Sequence, residues 1–201
     1  LLGATYENGK WLVNGNEVGK INSIIYDLDL TGIFTILKQM QSDEFSYATI
    51  VESFLPELSI GDIVKAILPI TSEGEDETEV FFDKNGKEFT DGLNTLLRIK
   101  VWQIVAGFDA NHPYDLKPVL REISLGELFN LKKEGENWKI GNRFAEGGIA
   151  DLLDFTVGDI IAPETADTKD QVMQTLETVT VGNVLTLVLG YNEQENKFPS
   201  T

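Results

Sequence analysis

The chain has 201 residues, of which 42% are hydrophobic and 24% are charged, proportions typical of a globular protein with a sizeable core. Its 33 acidic and 16 basic residues give a formal net charge of −17 at pH 7, which argues against nucleic acid as a partner because phosphate backbones would be repelled. The sequence contains no cysteine, which excludes disulfides, thiolate nucleophiles and cysteine-ligated metal sites.

A tryptophan-containing segment occurs twice, at residues 7–16 and 134–142. Each has Glu, Asn and Gly close to its tryptophan, which is Trp11 in the first and Trp138 in the second. Such turn residues between short β-prone runs predict a β-hairpin, and a fainter version at 84–89 predicts a third.

The two tryptophans have two interpretations. The first is structural: each anchors its hairpin on the helices behind it. The second is functional: Trp11, Trp138 and Tyr6 form a platform on which a sugar could stack. These three residues are the candidate binding residues of the sequence.

A seven-residue pattern, here called the cap phrase, recurs four times. It consists of an apolar residue, Ser or Thr, an aliphatic residue, Gly, an acid or its amide, and two apolar residues. The Ser or Thr is predicted to accept a hydrogen bond from a free backbone N–H of a helix start, and the acid to bond back to the N–H of the cap. The copies are 58–64, 123–129, 155–161 and 179–185, with caps at Ser59, Ser124, Thr156 and Thr180.

Apolar residues at three- and four-residue steps predict further helices. The clearest stripe begins at Leu93 and continues to Phe108, which predicts one amphipathic helix with Gly107 as its stop. The other helices predicted from such patterns are 31–40, 46–55 and 116–121.

An acidic run at 71–79 is predicted to be an exposed loop or a linker. It separates a first hairpin-plus-helices module, 1–70, from a second module with related hairpin–helix repeats, 80–201. The alternative is one continuous globular domain. The predicted fold class is α+β and mostly α, with short β-hairpins packed on amphipathic helices and a chain built from irregular internal repeats.

His112 is the only histidine, so any histidine-dependent catalysis must use it. Asp109 and Asp115 are close in sequence, and a hydrolase that uses His112 with carboxylates is therefore one hypothesis. The sequence has no Gly-x-Ser-x-Gly elbow and no glycine-rich phosphate loop, and residues 83–88 lack the spacing of a calcium loop. We assign no catalytic residue, metal ligand or cofactor from the sequence.

The alternation of an Asn-Gly-Lys-Trp hairpin with cap phrases resembles repetitive surface proteins of Firmicutes. The resemblance covers roughly residues 6–35, 58–68 and 123–161. It implies an exported module that is tethered at the cell surface of a Gram-positive bacterium, and it carries over no functional residue.

The sequence thus favours a non-enzymatic surface module for adhesion, recognition or spacing. Its partner would be a protein, a glycan or an apolar ligand. The longest apolar stretch, 179–191, is too short to span a bilayer, so no transmembrane segment is predicted. A carrier for a lipid or another apolar ligand is the second hypothesis, since wide apolar helix faces could enclose a cavity. The hydrolase ranks third.

Overall fold

A computed structural model of the chain describes residues 4–8, 10–13, 16–17, 34, 38, 40–41 and 45–184. Helices predominate over small antiparallel sheets in this part of the chain, which confirms the predicted α+β, mostly α class. The chain divides into two units, the first made of residues 1–89 and 94–116 and the second of residues 90–93 and 117–201. The acidic run at 71–79 lies within the first unit and begins with a strand.

The secondary structure alternates small sheets with short helices. The elements up to residue 116 are β1 (Ala4–Glu7), β2 (Lys10–Val13), β3 (Asn16–Glu17), α1 (Tyr47–Phe54), α2 (Ile60–Ile67), β4 (Thr71–Glu73), a 3₁₀ turn (Asp76–Thr78), β5 (Val80–Phe82), α3 (Asp91–Arg98) and α4 (Val101–Ala106). Those that follow are α5 (Lys117–Arg121), α6 (Leu125–Leu128), β6 (Lys132–Glu134), β7 (Asn137–Ile140), β8 (Arg143–Phe144), α7 (Gly148–Asp154), α8 (Val157–Ile161) and α9 (Ala166–Thr178). The helix predicted at 31–40 lies mostly outside the described residues.

Both tryptophan hairpins are confirmed, and each is extended by a third strand. The strand orders are β1-β2-β3 and β6-β7-β8, both antiparallel. The two sheets have the same register, so Trp11 and Trp138 occupy matching positions on their central strands. The third predicted turn is also present, because Phe82 and Glu88 form an antiparallel bridge around it.

The cap phrases are helix starts, as predicted. In the first, the Ser59 hydroxyl accepts a hydrogen bond from the Asp62 N–H at 3.1 Å, and the Asp62 carboxylate accepts one from the Ser59 N–H at 3.0 Å. The other three phrases repeat this reciprocal pair at Ser124 with Glu127, Thr156 with Asp159, and Thr180 with Asn183.

The phrase glycine has a packing role that the sequence did not indicate. A Cβ added to Gly61 would lie 2.2 Å from the ring of Phe81 on β5, and one added to Gly126 would lie 2.5 Å from the ring of Trp138 on β7. Each glycine therefore leaves room for a buried aromatic ring from the hairpin that follows its helix. Phe81 packs on the glycine of the first cap phrase as Trp138 packs on that of the second. In this packing role Phe81, rather than Trp11, is the counterpart of Trp138.

The continuous helix predicted from Leu93 to Phe108 is wrong. The helix ends at Arg98, and a new one begins after Lys100, whose backbone is extended (φ −74°, ψ 144°). The break is caused by pairing: the Ile60 N–H donates to the Ile99 carbonyl at 2.9 Å, and the Val101 N–H donates to the Leu58 carbonyl at 2.8 Å. Tertiary hydrogen bonds to the first cap phrase thus override a local apolar stripe.

The second unit contains the same bridge between two helix starts. The Leu125 N–H donates to the Phe155 carbonyl at 2.8 Å, and the Val157 N–H donates to the Ile123 carbonyl at 2.8 Å. Residues 59–106 and residues 124–161 therefore have the same order: a capped helix, a hairpin, a helix, and a second helix whose start pairs with the first cap. That the two arrangements are copies of one repeat stays a prediction.

Removal of a cap hydroxyl is expected to destabilise the protein without affecting binding. Ser59→Ala or Thr156→Ala should each lower the free energy of unfolding by about 1 kcal/mol, since a helix N–H loses its acceptor. Urea denaturation followed by circular dichroism measures the change. Ser53→Ala is the matched control, because this exposed hydroxyl only donates to the Thr49 carbonyl within α1. A cap variant with wild-type stability but no binding activity would contradict the structural role.

Candidate functional site: an aromatic cleft in the first unit

The candidate site lies where the start of α1 meets the end of α4. Ser46 caps α1, and its hydroxyl donates to the Asp109 carboxylate at 2.8 Å. The same carboxylate oxygen accepts from the Ala48 N–H at 3.1 Å, and the Asn111 side-chain amide donates to the Phe45 carbonyl at 2.7 Å. The segment after α4 is therefore held against the first turn of α1 by several hydrogen bonds.

Small residues at this junction are fully buried. Ala48 on α1 is 0% exposed and Ala106 on α4 is 1% exposed. Side chains of this size lose little rotamer entropy on burial. They also allow the two helices to pack closely. The larger side chains beside them are less buried: Phe45, Ile104 and Val105 are partly exposed, and Tyr47 and Phe108 are exposed.

These less buried side chains line a cleft of about 470 Å³. This volume is within the range of small-molecule sites in proteins. Its two rim rings are exposed, Tyr47 at 65% and Phe108 at 90%, and the Phe45 ring meets Tyr47 edge-to-face with 4.5 Å between centroids. The lining residues are Phe45, Tyr47, Ile104, Val105, Phe108, Asp109 and Ala110.

Asp109 gives the cleft a negative charge. The pKa of this carboxyl is lowered to about 2, chiefly by the hydrogen bond from the Ala48 backbone N–H and then by those from the Ser46 hydroxyl and the backbone N–H groups of Asn111 and His112, against a smaller opposing effect of partial burial. The carboxylate is therefore ionised throughout the physiological pH range. It also lies at the N-terminus of α1, where the helix dipole favours a negative charge.

The role of Asp109 predicts a pH-dependent loss of stability. A carboxyl whose pKa is 3.8 when unfolded and about 2 when folded stabilises the fold above pH 4, and this contribution is lost as the pH falls toward 2. Asp109→Asn should therefore unfold more easily than the wild type at pH 7, and the difference should shrink between pH 4 and pH 2. Urea denaturation at several pH values tests this, with all other carboxyls common to both proteins. A difference that stays constant down to pH 2 would contradict it.

The surroundings of His112 differ from the suggested His–Asp couple. Its Nε2 lies 2.9 Å from a carboxylate oxygen of Glu52, and its ring centroid is 6.2 Å from that of Trp102. Asp109 instead accepts from the backbone N–H of His112. The Ser46 hydroxyl donates to Asp109 and accepts from the Thr49 N–H. The carboxylate that contacts the imidazole is therefore that of Glu52, and the hydrolase hypothesis stays a prediction.

The candidate binding residues from the sequence are divided between the two units. Tyr6 is 47% exposed on β1 and lies opposite Trp11 in the register; the side chain of Trp11 is outside the described part of the structure. Trp138 is 3% exposed in the second unit, and its indole N–H donates to Asp154 at 2.8 Å. Trp138 is therefore an anchor of its hairpin, and its ring is not available for stacking on a sugar.

Sequence reasoning missed the cleft itself. It assigned Phe108 to the apolar stripe of one long helix and Tyr47 to that of another, which implies that both are buried. The available signal was Gly107: an aromatic residue directly after a helix stop is no longer held on the helical face.

Two other features are absent from the described residues, a cluster of potential metal ligands and a membrane-spanning helix. Within residues 45–184 and the shorter described segments, no three histidine, aspartate or glutamate side chains are grouped in a way that could hold a metal ion. Among the same residues, no helix has the length and hydrophobicity needed to cross a membrane. Comparison with protein-family models, with curated proteins and with solved structures found no match.

Proposed function

We propose that this chain is a non-enzymatic recognition module of an exported bacterial surface protein, and that the aromatic cleft is its binding face. The observation that carries the proposal is the exposure of Phe108 and Tyr47 at the rim of a formed cleft. Burial of such rings would stabilise the protein or its complex by about 25 cal/mol for each Å² of apolar surface removed from water. Aromatic side chains in pockets are also the residues that contribute most to binding interfaces.

The cleft is built on a rigid support, as a recognition site requires. Asp109 ties the segment after α4 to Ser46 and Ala48 at the start of α1. A preorganised site loses less conformational entropy on binding than a mobile one. Among adhesion, spacing and recognition, recognition is the role that this geometry favours.

A carrier of an apolar ligand is the second candidate. It is favoured by the side chains of Ile104 and Val105, which give the cleft apolar walls beside its rings. Native mass spectrometry of the purified protein tests this hypothesis. A co-purifying lipid would support the carrier, whereas a clean apo mass would favour reversible recognition at the surface.

A fragment screen tests the binding face without assuming the ligand. We expect aromatic, apolar and cationic fragments to shift ¹H–¹⁵N NMR signals of residues 45–48 and 104–110. Phe108→Ala should abolish these shifts, and Phe129→Ala should not. Phe129 is the matched control because it is a 65%-exposed phenylalanine of the second unit. Fragment shifts that cluster elsewhere, or that persist in Phe108→Ala, would overturn the assignment of the cleft.

The surface location is tested separately. The gene that encodes this chain should also encode an export signal and a wall anchor. A complete reading frame with neither would overturn the surface location, while the binding role of the cleft would be unaffected.

A further inference from the structure

The geometry points to an organic cation with a methylated ammonium group as the ligand of the aromatic cleft. This inference rests on the proposed function, because it names the chemistry that the same cleft would recognise. The cleft combines three aromatic rings with one carboxylate, and both features attract positive charge.

The rings are the first part of the argument. Phe45, Tyr47 and Phe108 all line the cleft, and the Phe45 and Tyr47 rings meet edge-to-face. The face of an aromatic ring carries negative electrostatic potential, so a cation within about 6 Å of its centroid is attracted. Several rings around one cavity are the arrangement by which proteins bind quaternary ammonium groups.

The hydrogen bonding of Asp109 favours a methylated cation over a primary ammonium. One carboxylate oxygen accepts from Ser46 and Ala48, and the other accepts from the Asn111 N–H at 2.9 Å. Both oxygens are therefore engaged, although the carboxylate keeps its charge. A primary ammonium needs acceptors for its three N–H bonds, whereas a quaternary ammonium has no N–H and requires only apolar contact and a nearby negative charge.

The remaining walls fit the same ligand. Ile104, Val105 and Ala110 offer apolar contacts for methyl groups, and Asp109 is the one charged residue among the described lining residues. The net charge of −17 also concentrates cations near the protein at low ionic strength. An anionic or strongly polar ligand would gain little from such a site.

Isothermal titration calorimetry with two isosteric probes tests the inference. Choline carries the trimethylammonium group, and 3,3-dimethylbutan-1-ol has the same shape with carbon in place of the charged nitrogen. We expect the full chain to bind choline about tenfold more tightly than the neutral alcohol, the range that cation–π and charge attraction supply. Phe108→Ala should weaken choline binding by a similar factor at an unchanged melting temperature, and Phe108→Tyr should restore it. Phe129→Ala is the control for an exposed ring elsewhere.

Each outcome is decisive. A preference for choline that depends on Phe108 supports the inference. Equal binding of both probes would overturn it and leave the cleft as a neutral apolar binding face, so the proposed function would stand. Failure of both probes to bind would also overturn the cation inference. If, in addition, no fragment of the NMR screen binds at the cleft, the proposed function is wrong too.

Discussion

Trp138→Ala is expected to lower the free energy of unfolding by about 3–5 kcal/mol, the range for removing a buried large aromatic side chain. Trp138 is 3% exposed and packs with Ala145, Ile149 and Leu153 in the core of the second unit. Its loss would open a cavity beside Gly126, which has no side chain to fill the space. Urea denaturation followed by far-ultraviolet circular dichroism measures the change without relying on tryptophan fluorescence.

Two further variants separate the contributions of Trp138. Trp138→Phe keeps a ring near Gly126 but removes the N–H that donates to Asp154, so its stability should lie between the wild type and Trp138→Ala. Phe129→Ala removes an exposed ring and should change the free energy of unfolding by less than about 0.5 kcal/mol. A loss below about 1 kcal/mol in Trp138→Ala would show that Trp138 does not anchor the second unit.

Gly61→Ala is the substitution for which two simple arguments predict opposite signs. Within a helix, glycine to alanine normally stabilises by about 1 kcal/mol because it restricts the unfolded chain. Here the added Cβ would lie 2.2 Å from the ring of Phe81, which is 0% exposed. A buried ring has little freedom to move, so the overpacking should dominate and lower the free energy of unfolding by about 1–3 kcal/mol.

A double variant tests whether the clash with Phe81 is the cause. In the Phe81→Leu background, where the smaller side chain leaves space, Gly61→Ala should be neutral or stabilising. The coupling between the two substitutions is read from urea denaturation of all four proteins. A Gly61→Ala single variant that is as stable as the wild type, or more stable, would contradict the packing role of the phrase glycine.

The cap phrases could be predicted because their contacts are local. Ser59 and Asp62 are three residues apart, so the reciprocal hydrogen bonds follow from the helix start itself. The hairpins were predictable for the same reason, since their turn residues determine a register over a few positions. Both kinds of element require no knowledge of the rest of the chain.

The break between α3 and α4 could not be predicted from its own segment. It depends on hydrogen bonds between residues 99–101 and residues 58–60, which are about forty positions earlier in the chain. One partial signal was present: residues 99–105 match the cap phrase at five of its seven positions, with Gln103 at the acid position but Lys100 in place of Ser or Thr and Trp102 in place of the glycine. The Gln103 side chain indeed accepts from the Lys100 N–H at 2.9 Å.

The cleft could not be predicted from the sequence for a related reason. Its rings come from two separated segments, 45–47 and 104–108, which meet through the hydrogen bonds of Asp109. Hydrophobic periodicity assigns aromatic residues to a core and does not distinguish those that remain at a rim. The tryptophans were instead the candidates for a sugar-stacking platform, but Trp138 is buried.

The central claim is that the cap phrases and hairpins stabilise the fold, whereas the aromatic cleft binds the ligand. Phe108→Ala tests this claim most directly. The measurement is the dissociation constant of the tightest fragment or cation for the variant, taken on a sample whose melting temperature is also recorded. We predict an affinity at least about tenfold weaker, as for an aromatic residue that contributes strongly to binding, with a melting temperature equal to that of the wild type because Phe108 is 90% exposed. An unchanged dissociation constant would contradict the assignment of the cleft as the binding face.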